Sequence, residues 1–104
     1  MMRDLTPGLL QLPPPVLGNL NALGKRVSVA RKIQCLKQED LANMANISRS
    51  TLTEIEKGSP FVLMGNYMAV LWALGLMHEI SATDMSEEER RLLVTELPKR
   101  VRNG

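Results

Sequence analysis

The chain has 104 residues, which is enough for one small domain with a single modest hydrophobic core. Hydrophobic residues make up 44% of it and aromatic residues only 3%, a balance typical of compact helical proteins rather than of β-sandwiches or barrels. One cysteine and one histidine exclude an internal disulfide and a zinc site built by this chain alone, and no apolar run approaches the roughly 20 residues that span a bilayer.

Net charge is a weak indicator of the partner, because the chain carries only +2 at pH 7. The charges are nevertheless segregated along the sequence. Residues 24–58 hold seven lysines and arginines against four acids, and residues 79–89 hold five acids and no base. One face of the protein can therefore be basic. Residues 1–18 lack the charged and continuously apolar regions of a secretory signal, so we expect a cytoplasmic, reduced protein.

Residues 1–15 form a predicted N-terminal arm. They contain Thr6-Pro7-Gly8 and the run Pro13-Pro14-Pro15, a composition that favours a flexible or extended segment. Leu9, Leu10 and Leu12 leave open an alternative in which the arm packs on the domain or on a partner.

A first helix is predicted from about residue 16 to residue 35. Pro15 suits a helix start, and Gly18 and Gly24 each weaken the helix by roughly 1 kcal/mol relative to Ala, so packing must hold it. Cys35, near its end, is expected to be a small buried hydrophobic residue. The apolar residues that recur at a spacing of three or four are Val16, Leu20, Leu23, Val27, Ala30 and Ile33.

Residues 38–57 predict two short helices, 38–45 and 48–57, joined by a tight turn. Asn46 stands where the turn needs a positive φ, and Ser48 can cap the second helix by accepting a backbone N–H. A second helix that buries one side and offers short polar and cationic groups on the other suits the DNA major groove. The predicted inward residues are Leu41, Ala42, Ala45, Ile47, Leu52 and Ile55, and the outward ones are Arg49, Ser50, Thr53 and Lys57.

Three further helical segments are predicted after the turn at Gly58 and Pro60. A fourth helix, about 63–74, ends at Gly75, and Leu76–Ala82 forms a short fifth. Ser86 and Glu89 form a capping-box pattern that opens a last helix through about Glu96, stopping before Pro98. The fourth helix is expected to bury Met64, Tyr67, Met68, Leu71 and Leu74.

The predicted organisation is therefore an arm (1–15), a helix-turn-helix domain (16–83) and a C-terminal helix with a basic tail (84–104). The tail residues Lys99, Arg100 and Arg102 either fray in solvent or contact DNA phosphates or an acidic partner.

The residues from Leu23 to Gly58 resemble the XRE (Cro/phage-repressor type) family. The resemblance is carried by Leu36-Lys-Gln-Glu-Asp-Leu-Ala42 and Ile47-Ser-Arg-Ser-Thr-Leu-Thr-Glu-Ile-Glu-Lys-Gly58, and it extends over about residues 20–76. It implies an all-α, compact four- to five-helix Cro/repressor-like fold. Met64–Leu76 and Leu97–Arg102 also resemble HipB-like regulators. That likeness implies an antitoxin that represses its own operon as a homodimer and holds a HipA-type kinase toxin inactive.

The family resemblance also implies roles in DNA binding. Gln38 occupies the position that clamps a phosphate and braces the reading helix, and Arg49 and Ser50 occupy base-reading positions. Arginine can bond guanine O6 and N7 together, which contributes about 1–3 kcal/mol of discrimination. Thr53 lies one turn further on, where it can touch a thymine methyl or a base edge. The residues better placed for the phosphate backbone are Ser48 and Lys57.

Two positions depart from the family pattern, and one pair follows it. Lys37 replaces the usual Ser or Thr, which removes a helix cap but adds a possible phosphate contact. Glu54 replaces a base-reading amide; we interpret it as a solvated or intramolecular partner, although a carboxylate can also accept from cytosine N4. Arg31 and Glu56 match a partly buried ion pair between the first helix and the reading helix, and we interpret their role as structural.

A sequence-specific repressor is the favoured interpretation of this pattern. One reading helix covers only a few base pairs, so a homodimer on double-stranded DNA with half-sites about one helical turn apart is expected. The alternative is a protein–protein adaptor that neutralises a toxin without reading DNA, and no membrane partner is expected. With no Ser/His/Asp set, metal cluster or phosphate-binding Gly loop, no enzyme activity, metal or cofactor is predicted.

Tyr67 is expected in the core or at a dimer surface, and the expected dimer contact comprises Trp72, Leu76, Leu92 and Leu93.

Overall fold

The structure is a computed structural model that describes residues 11–80 and 85–103. In this part of the chain it has five α-helices: α1 (Pro14–Ile33), α2 (Gln38–Ala45), α3 (Arg49–Glu56), α4 (Met64–Leu74) and α5 (Glu87–Asn103). A short 3₁₀ helix, Met77–Ile80, follows α4. The described residues contain no strand, so the all-α prediction is confirmed. No helix in these ranges combines the length and the apolar character that a membrane span needs.

The helix α1 begins two residues earlier than predicted, at Pro14. Proline fits the first turn because its fixed φ is helical and the N–H that it lacks would have no partner there. Of the predicted arm, residues 1–10 lie outside the described residues, and Pro14 and Pro15 belong to α1.

The first four helices end in the same backbone arrangement. Each is followed by a residue at positive φ, and the next N–H bonds back to a carbonyl in the last turn, which is a Schellman motif. The residues at positive φ are Cys35 (59°), Asn46 (59°), Gly58 (78°) and Gly75 (79°). The expectations for Asn46, Gly58 and Gly75 are thus confirmed.

The prediction for Cys35 is wrong, because its side chain is exposed. The helix stops at Ile33, and Cys35 takes the left-handed position that closes the Schellman motif, donating its N–H to Lys32 O at 3.0 Å. Leu36, the next residue, packs against the core in its place.

The core lies where α1 and α4 pack against the pair formed by α2 and α3. Two outward residues contradict the α1 prediction: Val16 and Ile33 are 42% and 75% exposed. They lie in the first and last turns of a helix about 30 Å long, well beyond the eight-residue α3 that covers its middle. Among the described residues, the buried hydrophobic side chains are Val27, Leu41, Ala42, Ala45, Leu52, Ile55, Tyr67, Val70, Leu71 and Leu74.

The buried stripe of α4 is rotated relative to the prediction. Val70 is fully buried, whereas Met64 is 69% exposed and Met68 is only partly buried. The stripe is centred between Tyr67 and Leu74, so Met64 in the first turn lies at its edge.

Two glycines allow α1 and the end of α3 to touch backbone to backbone. A Cβ on Gly24 would lie 2.6 Å from Ile55 O and 2.7 Å from Glu56 O. A Cβ on Gly58 would lie 2.6 Å from Leu20 O. Both positions therefore require glycine, and together they fix how closely α3 lies on α1.

The last helix begins as predicted but extends further. Ser86 N–H donates to Glu89 Oε1 at 2.9 Å, and Glu89 N–H donates to Ser86 Oγ at 3.1 Å, so the capping box is confirmed. The predicted stop before Pro98 is wrong, because the backbone is helical through Asn103. Proline's φ is itself helical, so Pro98 removes one hydrogen bond without ending the helix. The predicted fifth helix corresponds to the 3₁₀ helix, and residues 81 and 82 of that prediction lie outside the described residues.

Candidate nucleic-acid interface

The turn between α2 and α3 is closed by short polar side chains. Asn46 adopts the left-handed conformation after α2, and Ser48 then caps α3 by accepting the Thr51 N–H at 3.1 Å. The Ser48 hydroxyl also bonds Thr51 Oγ1 at 2.8 Å. These contacts fix the first turn of α3, which begins at Arg49 as the capping pattern predicted.

One side of α3 is buried and the other is offered to solvent. Leu52 and Ile55 are fully buried, so residues about half a helical turn away must point outward. We call these residues, Ser50, Thr53, Glu54 and Lys57, the outer face of α3. Arg49 is exposed at the N-terminal end of the helix, beside the start of α2.

The C-terminal end of α3 is held by hydrogen bonds to Glu56. Arg31 Nε lies 2.7 Å from Glu56 Oε2, and Arg31 Nη2 donates to Oε1 at 3.3 Å. Gln38 Nε2 donates to the same Oε1 at 3.1 Å, and Arg31 Nη1 donates to Leu36 O at 2.9 Å. The Arg31 and Glu56 side chains are only 12% and 10% exposed. The ion pair inferred from the resemblance is therefore present, and it ties α1, α2 and α3 together.

At the start of α2, Asp40 makes a capping hydrogen bond although the cap residue Lys37 makes none with its side chain. The Lys37 side chain makes no capping hydrogen bond, but Asp40 Oδ2 accepts the Lys37 N–H at 2.9 Å. An acid three residues after the cap position indicates such a bond, so Asp40 was a signal that the sequence reasoning missed. Lys37 borders a shallow depression between the starts of α2 and α3. The depression is also lined by Arg31, Gln38, Glu39 and Arg49.

The outer face carries one weak ion pair. Lys57 Nζ lies 3.8 Å from Glu54 Oε2, and the two side chains are 68% and 52% exposed. Glu54 is thus an intramolecular partner, as interpreted from the sequence, but exposed pairs of this kind contribute only about 0–1 kcal/mol. Thr53 Oγ1 donates to Arg49 O at 3.1 Å, which leaves its methyl group and its acceptor capacity for a ligand.

The loop after α3 is anchored by a buried tyrosine. Tyr67 Oη donates to Ser59 O at 2.6 Å. Burial raises the pKa of the Tyr67 hydroxyl above its usual 10.0, and the negative charge of Glu54 raises this pKa further. Tyr67 was predicted in the core or at a dimer surface, and it is buried in the core. Trp72, predicted at the dimer contact, is 63% exposed. Three other large apolar side chains are exposed in and just after the loop that follows α3. Sequence reasoning missed Phe61 and Leu63, and it wrongly placed Met64 in the core.

Two short helices, a left-handed residue between them and a capped second helix with an open outer face define a helix-turn-helix. A scan against models of known protein families finds no match. The chain is 33% identical over 60 residues to an uncharacterized HTH-type transcriptional regulator, y4mF, from Sinorhizobium fredii (strain NBRC 101917 / NGR234). The match covers 58% of this chain and 79% of that relative. The chain therefore belongs to the helix-turn-helix type transcriptional regulators.

Proposed function

We propose that this protein is a repressor that binds palindromic operator DNA as a homodimer, with α3 in the major groove. The observation that carries the proposal is the outer face of α3, which is open to solvent while both ends of the helix are fixed. Ser48 fixes the start of α3, and the Arg31–Glu56–Gln38 contacts fix its end. A rigid, half-buried helix can present its side chains to base edges without losing much conformational entropy on binding.

We divide the side chains of the proposed interface into readers, which contact base edges, and anchors, which contact phosphates. Arg49, Ser50 and Thr53 lie at the N-terminal part of α3, the part of a recognition helix that usually contacts base edges. Four other polar side chains suit phosphates, which position the protein without specifying sequence. We assign this anchoring role to Lys37, Gln38, Ser48 and Lys57.

A role as a HipB-like antitoxin is the finer part of the proposal. It is supported by the HipB-like sequence of α4 and of the C-terminal segment, and it requires a HipA-type kinase as partner. If a neighbouring reading frame encodes a kinase-like protein, co-expression should yield a complex in which phosphorylation by that kinase is suppressed. Full kinase activity in the presence of excess regulator would contradict the antitoxin role while leaving the repressor role intact.

The repressor role is tested by selection of bound sequences from random duplexes at moderate salt. We expect a palindromic site with half-sites about one helical turn apart. Arg49→Ala should abolish the site preference. Lys57→Ala should weaken binding to all sequences alike and reduce the slope of log affinity against log salt concentration by about one for each subunit. Lys25→Ala is the matched control, because Lys25 is an exposed cation on α1 beside Val29 and Ile33, in a depression that no residue of α2 or α3 lines. Identical behaviour of the Arg49 and Lys57 variants would contradict the assigned roles.

A protein–protein adaptor is the second candidate. It is favoured by the exposed apolar side chains of Phe61, Leu63, Met64 and Trp72, because exposed apolar surface can mark a protein–protein contact. The dependence of DNA binding on salt distinguishes the two candidates. The repressor should bind DNA with an affinity that falls as salt concentration rises, because its phosphate contacts release counterions, whereas the adaptor should not bind DNA.

A further inference from the structure

Glu54 occupies the middle of the outer face of α3. Ser50 lies one turn before it and Lys57 nearly one turn after it, and the Glu54 side chain is 52% exposed. If α3 enters the major groove as proposed above, the Glu54 carboxylate approaches base edges together with Ser50. We infer that Glu54 selects a cytosine in each half-site of the operator.

The chemistry of a carboxylate limits which base it can face. An ionised carboxylate only accepts hydrogen bonds. In the major groove, guanine N7 and O6, adenine N7 and thymine O4 are acceptors, and only cytosine N4 and adenine N6 donate. Adenine places its N7 acceptor beside the amino group, where it repels the second carboxylate oxygen. Cytosine has no acceptor on its own major-groove edge, so it is the base that fits Glu54.

The ion pair with Lys57 does not prevent this contact. At 3.8 Å the Lys57 Nζ–Glu54 Oε2 distance is longer than a hydrogen bond, and both side chains are more than half exposed. A DNA phosphate offers Lys57 a stronger charge-assisted bond. When Lys57 turns to that phosphate, the Glu54 carboxylate loses its cation inside a groove of negative potential. It then has to find a donor, and a wrong base there weakens binding by about ten- to a hundredfold.

The test uses the selected operator with all four base pairs placed in turn at each half-site position. Wild type should require cytosine at one position per half-site. Glu54→Gln should move the preference at that position toward adenine, because an amide bonds adenine N6 and N7 together. Glu54→Ala should remove the preference there and raise affinity for all other sequences, because the repulsion between carboxylate and phosphates is gone.

Glu39→Gln is the matched control for charge. Glu39 is an exposed acid on α2 that borders the depression beside Arg49, and it lies outside the outer face of α3. Its replacement changes the net charge by the same amount as Glu54→Gln, so it should raise affinity without changing any base preference. Circular dichroism of each variant confirms an intact fold before binding is compared.

Failure of the Glu54 inference can be distinguished from failure of the proposed function. If wild type selects a defined operator but both Glu54 variants keep its base preferences at every position, Glu54 reads no base and the inference is wrong, while the proposed function stands. If wild type shows no sequence preference at all, the proposed function itself fails and the inference falls with it.

Discussion

Replacing Gly24 with alanine is expected to destabilise the protein, although alanine is the better helix former. The new Cβ would lie 2.6 Å from Ile55 O, and ordinary contacts begin at 3.4 Å, so α1 and α3 would have to separate by about 0.8 Å (3.4 − 2.6). Overpacking of a close contact costs typically 1–3 kcal/mol, against a propensity gain of roughly 1 kcal/mol. We therefore expect a net loss of up to about 2 kcal/mol.

Gly18→Ala provides the matched control, because Gly18 lies in the same helix and a Cβ added there would meet nothing within 4 Å. This variant should gain roughly 0.5–1 kcal/mol from helix propensity alone. Urea unfolding followed by far-ultraviolet circular dichroism measures both changes on the same scale. If Gly24→Ala were as stable as Gly18→Ala, the backbone contact between α1 and α3 would not exist in solution, and the reasoning would be refuted.

Three further changes test individual contacts. Cys35→Gly should raise stability by about 1 kcal/mol, because Cys35 holds a φ of 59° that glycine adopts freely; a lower urea midpoint would contradict this. Glu56→Gln should lower stability by about 2 kcal/mol, because the Arg31 guanidinium loses its anionic partner at a site where both side chains are nearly buried. An unchanged thermal midpoint would show that the pair contributes nothing. Tyr67→Phe should cost about 1 kcal/mol at neutral pH through the lost bond to Ser59 O. The substitution should also change how the free energy of unfolding depends on pH above about pH 10. The folded-state pKa of Tyr67 lies above 10.0, so the stabilisation that its protonated hydroxyl contributes is complete below about pH 10. This stabilisation is lost as pH rises through the folded-state pKa. Urea midpoints across alkaline pH should show that this decline is smaller in the phenylalanine variant.

The helix ends were predictable because capping depends on a few adjacent residues. Asn46 and Gly75 adopt the expected left-handed conformation, and Ser48 and the Ser86–Glu89 pair cap the following helices. The fully buried Leu52 and Ile55 are likewise dictated by helical spacing in a short, strongly patterned segment. These features require no knowledge of what packs against the helix.

Features that depend on neighbouring helices were not predictable from spacing. Gly18 and Gly24 look alike in the sequence, yet only Gly24 contacts another backbone. Cys35 is small and apolar enough for a core, but the preceding helix ends early and places it in an exposed turn. The Arg31–Glu56 pair spans 25 residues, and only the family resemblance pointed to it.

The sparse charge of the proposed DNA-binding surface constrains how recognition must work. Only Lys37 and Lys57 are cationic among the anchors assigned above, so a dimer neutralises about four phosphates. The slope of log affinity against log salt concentration should therefore be about −3.6. Non-specific binding by so few contacts is weak, so an operator must be distinguished mainly through base edges and through the pairing of two subunits. Repulsion between the Glu54 carboxylate and the phosphates would weaken non-specific binding further. If Glu54 selects cytosine as inferred above, a hydrogen bond from the cytosine amino group offsets this repulsion at the operator alone. We therefore expect a cytosine preference together with the shallow salt dependence.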